Sequence, residues 1–166
     1  MLTVSGAHGR RRGKLFVGAT RFSEETWREN RRWRAERGKR GCLYPLMRSL
    51  SSAVPTDAAV LVIEMNNTLN RVEGLGVVVN ERANLSLFVY GDALYNRRVY
   101  KSAHRRDRQE IIARKNGQHL LDRLEMLCFT GHDHIKRATG ITLLPQRWMS
   151  PELARWLAEA LSCAAL

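Results

Sequence analysis

The stretch AVLVIEMNNTLNRVEGLGVVVNERANLSLFVY, residues 59–90, decides the fold of this chain. Its three apolar runs, 59–65, 72–79 and 85–90, are rich in β-branched and aromatic residues, and runs of this length and composition are typical of strands. The connectors between them are rich in asparagine, which favours turns. The pattern therefore predicts an antiparallel meander of strands at the centre of the fold.

Helices are predicted on both sides of these strands. Ser23 is a suitable N-cap for an Arg-rich N-terminal helix that ends near Gly38. A middle helix is predicted to begin at Asp107 and a C-terminal amphipathic helix at Ser150. The fold class is therefore α+β: a small antiparallel sheet, open or closed into a barrel, flanked by three helices. Further short strands are predicted at 15–18, 95–100 and 139–144.

The length and composition predict one folded domain with a basic arm. The chain has 166 residues, of which 44% are hydrophobic, and this is enough to form one core. Residues 1–14, MLTVSGAHGRRRGK, contain mostly small and basic side chains that have little to bury. We therefore expect a basic N-terminal arm over residues 1–14 and a single α+β domain over residues 15–166.

The positive charge of the chain is unevenly distributed. The sequence contains 28 Lys and Arg against 16 Asp and Glu, a formal net charge of +12. Residues 1–48 hold 13 basic and 4 acidic side chains, residues 49–96 hold 2 and 5, and residues 97–137 hold 11 and 5. Two basic stretches thus flank an apolar, slightly acidic centre. This distribution predicts an acidic macromolecular partner, either nucleic acid or another protein.

The side chains predicted to bind this partner are basic and tryptophan residues of the two basic stretches. Arg bonds phosphates and carboxylates with two N–H groups at once, and aromatic rings stack on bases or anchor protein interfaces. The predicted partner-binding residues are Arg10, Arg11, Arg12, Trp27, Arg31, Trp33, Arg34, Arg97, Arg98, Arg105, Arg106, Lys136 and Arg137.

Polar residues crowd the end of the first predicted strand. The carboxylate of Glu64 and the amides of Asn66, Asn67 and Asn70 can hold the loop through bonds to its backbone, which is the preferred interpretation, or they can contact a base edge or a peptide. Gly74 and Gly76 alternate on one face of the next strand. Such spacing indicates a bulge, a bend or the close approach of another backbone.

Two clusters raise the question of metal or catalytic chemistry. Cys128, His132 and His134 are residue types that bind zinc, but no second pair of ligands accompanies them. The same histidines, with His104 or Asp107, could serve as general bases in a nuclease-like reaction, but nothing in the sequence brings a base to a nucleophile. The sequence therefore predicts no enzyme, no cofactor and no metal.

The cysteines and the apolar segments bear on the compartment. The three cysteines are an odd number without a paired short spacing, which argues against a disulfide scaffold and indicates a reducing compartment. No apolar run resembles a secretory signal or reaches the length of a membrane span. The sequence predicts no transmembrane segment.

Three blocks of sequence resemble a known family. They are VIEMNNTLNRVEGLGVV at 62–78, YNRRVYKSAHRRDR at 95–108 and MLCFTGHDHIKRATGITLLP at 126–145. Together they resemble a small protein of nucleocytoplasmic large DNA viruses, especially iridoviruses of the ranavirus type. The resemblance covers about residues 27–145, and its last block matches the family at Lys136, Arg137 and Gly140.

The resemblance implies a role in a virus particle. Such viruses build icosahedral shells in which small basic proteins tie the major capsid protein together. The function that it implies is a minor capsid or cement protein that contacts other capsid proteins, located in the virion and, during assembly, in the host cytoplasm. The alternative is a protein that binds nucleic acid, for the handling or packaging of viral DNA, through its basic surfaces.

Overall fold

The computed structural model of the protein describes residues 16–81, 87–137 and 139–162, and it confirms the α+β class. Within these residues the strands are β1 Phe16–Phe22, β2 Cys42–Leu46, β3 Ala59–Asn66, β4 Arg71–Val79, β5 Arg98–Ser102, β6 Arg105–Asp107 and β7 Thr142–Leu143. The helices are α1 Glu24–Glu36, α2 Arg108–Ile112, α3 Gly117–Phe129 and α4 Pro151–Leu161. The predicted arm over residues 1–14 lies outside the described residues.

The main sheet is mixed, so the prediction of an antiparallel sheet is only partly correct. Its five strands lie in the order β6-β4-β3-β1-β7. β3 and β4 form the predicted antiparallel hairpin, but β1 pairs with β3 in parallel. Parallel neighbours need a long crossover, and here α1 and β2 supply it. The described strands form this open sheet and a second sheet of β2 and β5, and they do not close into a barrel.

The predicted strand at 85–90 is wrong where the structure describes it. Residues 85 and 86 lie outside the described residues, and residues 87–90 are irregular. The Asn96 side chain accepts hydrogen bonds from the backbone N–H groups of Val89 and Tyr90 and donates to the Tyr90 carbonyl. One amide side chain thus bonds this backbone in place of a neighbouring strand.

The short strands differ from their predicted bounds. β2 was not predicted, because Pro45 interrupts a run that otherwise reads as a strand. Its partner β5 begins at Arg98 and not at residue 95, since a 3₁₀ turn with Asp92 as its N-cap occupies residues 93–96. β1 extends to Phe22, and β7 is a two-residue strand at the edge of the main sheet.

The helix termini are set by local hydrogen bonds. Ser23 and Thr26 form a capping box at the start of α1, and the ring of Phe22 packs against that of Trp27 at 5.1 Å between centroids. Asp107 caps α2 in the same way. Asn116 lies between α2 and α3 with φ of 59°, a left-handed conformation that asparagine tolerates. Among the described residues, no helix combines the length and the apolar character needed to cross a membrane.

One face of the main sheet is covered by α2, α3 and α4, and we call it the helix face. Alternate residues of a strand point to the same side, so one set of positions from β3 and β4 meets the helices. The centre of the contact is apolar, and polar side chains reach it at Val72 of β4, whose backbone bonds Arg108 and Glu125. Its fully buried side chains include Leu61, Ile63, Leu75, Leu120, Leu124 and Leu157.

The opposite face is covered by α1, β2 and β5, and we call it the polar face. Its apolar contacts come from Val60, Val62 and Val78 of the sheet and from Trp27, Tyr44 and Tyr100 above it. It also buries three polar residues of β3 and β4: Glu64, Asn66 and Glu73.

Of the alternatives predicted for Gly74 and Gly76, the structure shows a bulge, and mainly side chains rather than another backbone fill the space beside the two glycines on the polar face. A Cβ atom on Gly76 would lie 2.1 Å from Tyr44 Oη, and one on Gly74 would lie 2.7 Å from Glu64 Oε2. The pairing of β3 with β4 also shifts by one residue after Glu64, which is a bulge. The two glycines thus leave the space that the Tyr44 and Glu64 side chains occupy.

Candidate functional site

A cleft of about 770 Å³ opens between α1 and the segment 103–110. Eight basic side chains and three acidic ones line it, and we call it the cationic cleft. The basic residues are Arg31, Arg34, Lys39, Arg40, Arg71, Arg105, Arg106 and Arg108, and the acidic ones are Glu73, Asp107 and Glu110.

The spacing of residues on α1 places one wall of this cleft. Trp27, Arg31 and Arg34 are three to four residues apart, so they share one face of the helix. Trp27 is buried against the polar face and fixes the helix to the sheet. The chain turns back after α1 at Gly38, whose φ is 58°, and the turn brings Lys39 to the same cleft.

The buried cations of the lining, Arg34 and Arg105, form the floor of the cleft. A buried ion pair joins Glu64, which does not itself line the cleft, to Arg105. Their side chains are 2% and 7% exposed, and Arg105 Nη2 donates to Glu64 Oε2 at 2.8 Å while its Nε donates to Oε1 at 2.9 Å. Tyr44 Oη donates to the same Oε1 at 2.9 Å. Burial opposes the charge of Arg105, but the facing carboxylate outweighs burial and holds the pKa of this guanidinium above its ordinary value. Arg105 therefore stays charged.

A second guanidinium, that of Arg34, is fixed beside this pair. Its Nε donates to Asn30 Oδ1 at 2.9 Å and its Nη1 donates to the Gly41 carbonyl at 3.2 Å. Burial, together with the nearby charge of Arg105, lowers its pKa, yet an arginine remains charged at neutral pH. The Cζ atoms of Arg34 and Arg105 each lie 5.7 Å from the centroid of the Trp27 ring, within cation–π distance. The floor thus carries two cations held in place by neighbouring groups.

The hydroxyl and thiol nearest to the floor are protonated at neutral pH. Burial, aided by the neighbouring Glu64 side chain, raises the pKa of Tyr44 well above its ordinary value. Burial likewise raises the pKa of the Cys42 thiol. Neither group is activated as a nucleophile, and Tyr44 instead acts as a hydrogen-bond donor to Glu64.

The rim of the cleft offers cations that are free to meet a ligand. Arg31, Lys39 and Arg40 are exposed, and their side chains make no hydrogen bond or ion pair with any other residue that the structure describes. Others are occupied: Arg71 Nε lies 2.8 Å from Glu73 Oε1, and Arg108 pairs with a carboxylate of α3. The free rim cations are therefore the groups best placed to bind an anion.

The cleft brings together residues from both basic stretches of the sequence. Of the predicted partner-binding residues, five line it: Trp27, Arg31, Arg34, Arg105 and Arg106. Trp27 is buried, so it supports the cleft and presents no ring face to a ligand.

The other predicted partner-binding residues do not line the cleft. Trp33 is covered by the guanidinium of Arg37, whose Cζ lies 4.2 Å from the ring centroid. Arg97 and Arg98 are exposed beside and on β5, and Arg98 donates to Ser49 Oγ. Lys136 Nζ donates to Asn70 Oδ1 at 2.6 Å, and Arg137 is exposed. The remaining three, Arg10, Arg11 and Arg12, lie outside the described residues.

Several residues of the cleft were not predicted from the sequence. Lys39, Arg40, Arg71 and Arg108 line it, and no local pattern distinguishes them from other surface cations. Glu64 did carry a signal. A single carboxylate within an otherwise apolar buried strand needs a cationic partner, and its presence in AVLVIEM indicates that an arginine from elsewhere must reach it.

Two of the residues considered for metal or catalytic chemistry, Cys128 and Asp107, have structural positions in the fold. Cys128 is fully buried, and burial raises the pKa of its thiol to about 12, whereas His132 is exposed. Within the described ranges, no group of three or more His, Cys, Asp or Glu side chains is arranged to hold a metal ion. Asp107 accepts a hydrogen bond from the Glu110 backbone as the cap of α2, and His104 is exposed.

Comparisons of the chain with protein-family models, with curated proteins and with solved structures find no match. The viral resemblance therefore stays a prediction that rests on three blocks of sequence. The cationic cleft is the feature of the structure that points to a function.

Proposed function

We propose that this protein binds nucleic acid, with the phosphates of the strand lying in the cationic cleft. The observation that carries the proposal is the convergence of eight basic side chains on one cleft, three of which have no partner among the described residues. Phosphates are bound in this way by Arg and Lys, and each cation that contacts one adds to a salt-dependent affinity.

The arrangement favours a continuous row of phosphates over scattered carboxylates. The rim cations come from separate positions, Arg31 from the middle of α1 and Lys39 and Arg40 from the turn that follows it. Beneath them, Arg34 and Arg105 are held by neighbouring groups, and they contribute a fixed positive field without having to be ordered by the ligand. A nucleic-acid strand carries one charge at every nucleotide, so successive phosphates can meet successive cations along the cleft.

The role as a minor capsid or cement protein stays a prediction beside this proposal. It depends on the basic arm over residues 1–14, which lies outside the described residues, and on the viral resemblance. Detection of the protein in purified virus particles by mass spectrometry is the experiment that tests it. A nucleic-acid-binding cleft is compatible with a location in the virion and with one in the host cytoplasm.

The proposal is tested by measuring binding to a fluorescently labelled single strand of about 12 nucleotides at several salt concentrations. We expect the logarithm of the affinity to fall linearly with the logarithm of salt, by about 0.7 for each phosphate contacted. Arg31→Ala, and separately Arg40→Ala, should weaken binding at low salt and reduce this slope by about 0.7 each.

Arg32→Ala is the matched control. Arg32 is the neighbour of Arg31 on α1, it is also exposed, and it does not line the cleft. The control loses the same charge, so it should leave the slope nearly unchanged. Equal effects of the two substitutions, no binding at about 50 mM salt, or equally tight binding of polyglutamate would each overturn the proposal.

A further inference from the structure

A separate pocket of about 440 Å³, which we call the aromatic pocket, lies next to α1 and is distinct from the cationic cleft. Thr26 of α1 lines the pocket, whereas its neighbour Trp27 lines the cleft, so one helix contributes to both. The rest of the pocket comes from the end of β1, from β2 and the two residues after it, from the loop after β3, and from residues 90, 95, 139 and 140. Its volume falls within the range of about 300–1,000 Å³ that is usual for sites of small molecules.

Aromatic side chains form the walls and the mouth of this pocket. Tyr44 and Tyr90 are buried in it, and Tyr95 is 43% exposed at its opening. The rings of Tyr90 and Tyr95 meet edge to face, with 6.5 Å between their centroids. Met47, which is also exposed, lies on the lining as well. Tyrosine and methionine beside an opening of this size suit a flat aromatic ligand.

The charge of the pocket favours an anionic ligand. Arg21 and Arg48 line it, both are exposed, and neither side chain bonds any other residue in the described part of the chain. The described lining contains no aspartate or glutamate. Two free cations and no carboxylate would attract a phosphate to the mouth of the pocket.

One polar atom of the lining lacks a partner. Asn67 Nδ2 donates to the Lys136 carbonyl at 2.6 Å, which orients the amide. Its Oδ1 is buried and has no hydrogen-bond partner among the described residues. A buried acceptor of this kind is costly unless a donor reaches it, either from a ligand or from a water that the ligand retains. Nucleobases carry N–H groups on their edges that can serve as this donor.

We propose that this pocket takes one unstacked nucleobase, whose phosphate lies near Arg21 and Arg48. A nucleotide has the three properties that the lining selects: a flat aromatic ring, a negative charge and N–H donors on the edge of its base. The inference rests on the proposed function, because the base belongs to a strand whose other phosphates occupy the cationic cleft. Thr26 of the pocket and Trp27 of the cleft are neighbours near the start of α1, so a strand that occupies both sites has to pass this part of the helix.

The test compares two single strands of equal length and equal phosphate number, one of adenine nucleotides and one in which every base is missing. We expect the wild-type protein to bind the adenine strand about ten-fold more tightly, since stacking on aromatic side chains adds to phosphate binding. Tyr95→Ala should remove most of this difference. Phe88→Ala is the matched control, because Phe88 is 74% exposed and lies outside the pocket lining.

Two further measurements test the proposal even if Tyr95→Ala does not fold, because they use the wild type and Arg31→Ala. An adenine strand that carries one 2-aminopurine should change fluorescence on binding to the wild type, and Arg31→Ala should weaken both strands by the same factor. Equal affinity of the wild type for the two strands, or an unchanged preference in Tyr95→Ala, would overturn the pocket proposal and leave the cleft intact. If neither strand binds at low salt, the proposed function itself is wrong.

Discussion

The two faces of the main sheet come from alternate residues of the same strands, but they are stabilised differently. On the helix face, Leu61 and Ile63 of β3 pack against leucines of α3 and α4 in an apolar contact. On the polar face, their neighbour Glu64 bonds Tyr44 and Arg105 beneath α1 and β2. The cationic cleft and the aromatic pocket both open beside α1, which covers the polar face.

The two faces therefore depend on different physical contributions to the free energy of folding. Apolar packing depends on volume and tolerates other apolar side chains that fill the same space. A buried ion pair depends on matching charge and hydrogen bonds, and its net stabilisation is small because both ions lose their water. The polar face therefore keeps charged groups at a cost in stability, and the positive floor of the cleft is what this cost provides.

The largest loss of stability is expected from Glu64→Gln, a substitution on the polar face. The substitution keeps the shape of the side chain but leaves Arg105 buried without a countercharge, so the free energy of unfolding should fall by about 3–5 kcal/mol. Urea denaturation measures it. Glu81→Gln, at an exposed position just after β4, is the control and should change stability little. A loss from Glu64→Gln no larger than that of the control would show that the pair is not ionised.

Leu124→Ala probes the helix face with a comparable effect. Leu124 is fully buried on α3, and its truncation should lower the free energy of unfolding by about 2–5 kcal/mol through lost contacts and the cavity that remains. Met126→Ala, on the exposed side of the same helix, is the control. Below its unfolding transition, the Leu124→Ala protein should keep the salt slope of the wild type for single-stranded DNA. A changed slope would mean that the two faces are not independent.

Gly76→Ala tests the polar face by volume. The added Cβ would lie 2.1 Å from Tyr44 Oη, so the hydroxyl must move away from Glu64, and the free energy of unfolding should fall by about 1–3 kcal/mol. Gly91→Ala is the control, since its Cβ would meet no atom within 4 Å. If thermal or urea unfolding shows the two variants to be equally stable, Tyr44 is not confined as described.

The hairpin of β3 and β4 was predictable because its signals are local. The apolar runs, the asparagine-rich turn and the pair of glycines all lie within residues 59–79. The parallel pairing of β1 with β3 was not predictable, because it depends on how the crossover through α1 packs. The strand expected at 85–90 failed since the Asn96 side chain, further along the chain, bonds the backbone of residues 89 and 90.

The candidate site was predictable only in part. The abundance of arginine in two stretches indicated an anionic partner, and Arg31, Arg34, Arg105 and Arg106 do line one cleft. Their convergence depends on tertiary packing, because two of them lie on α1 and two on β6. The aromatic pocket carried a weaker signal: the asparagines after β3 were interpreted mainly as turn formers, although Asn67 also lines the pocket.

The smallest effect should come from Ile63→Leu, the residue next to Glu64 on the same strand. Ile63 points to the helix face, where a side chain of equal volume can repack, so the free energy of unfolding should fall by less than about 1.5 kcal/mol. Ile63→Leu and Glu64→Gln are neighbouring substitutions that conserve size. Urea denaturation of both under identical conditions therefore separates the effect of volume on one face from the effect of charge on the other. If Ile63→Leu proves as destabilising as Glu64→Gln, position in the sheet decides stability, and the distinction between a face that depends on volume and one that depends on charge does not hold.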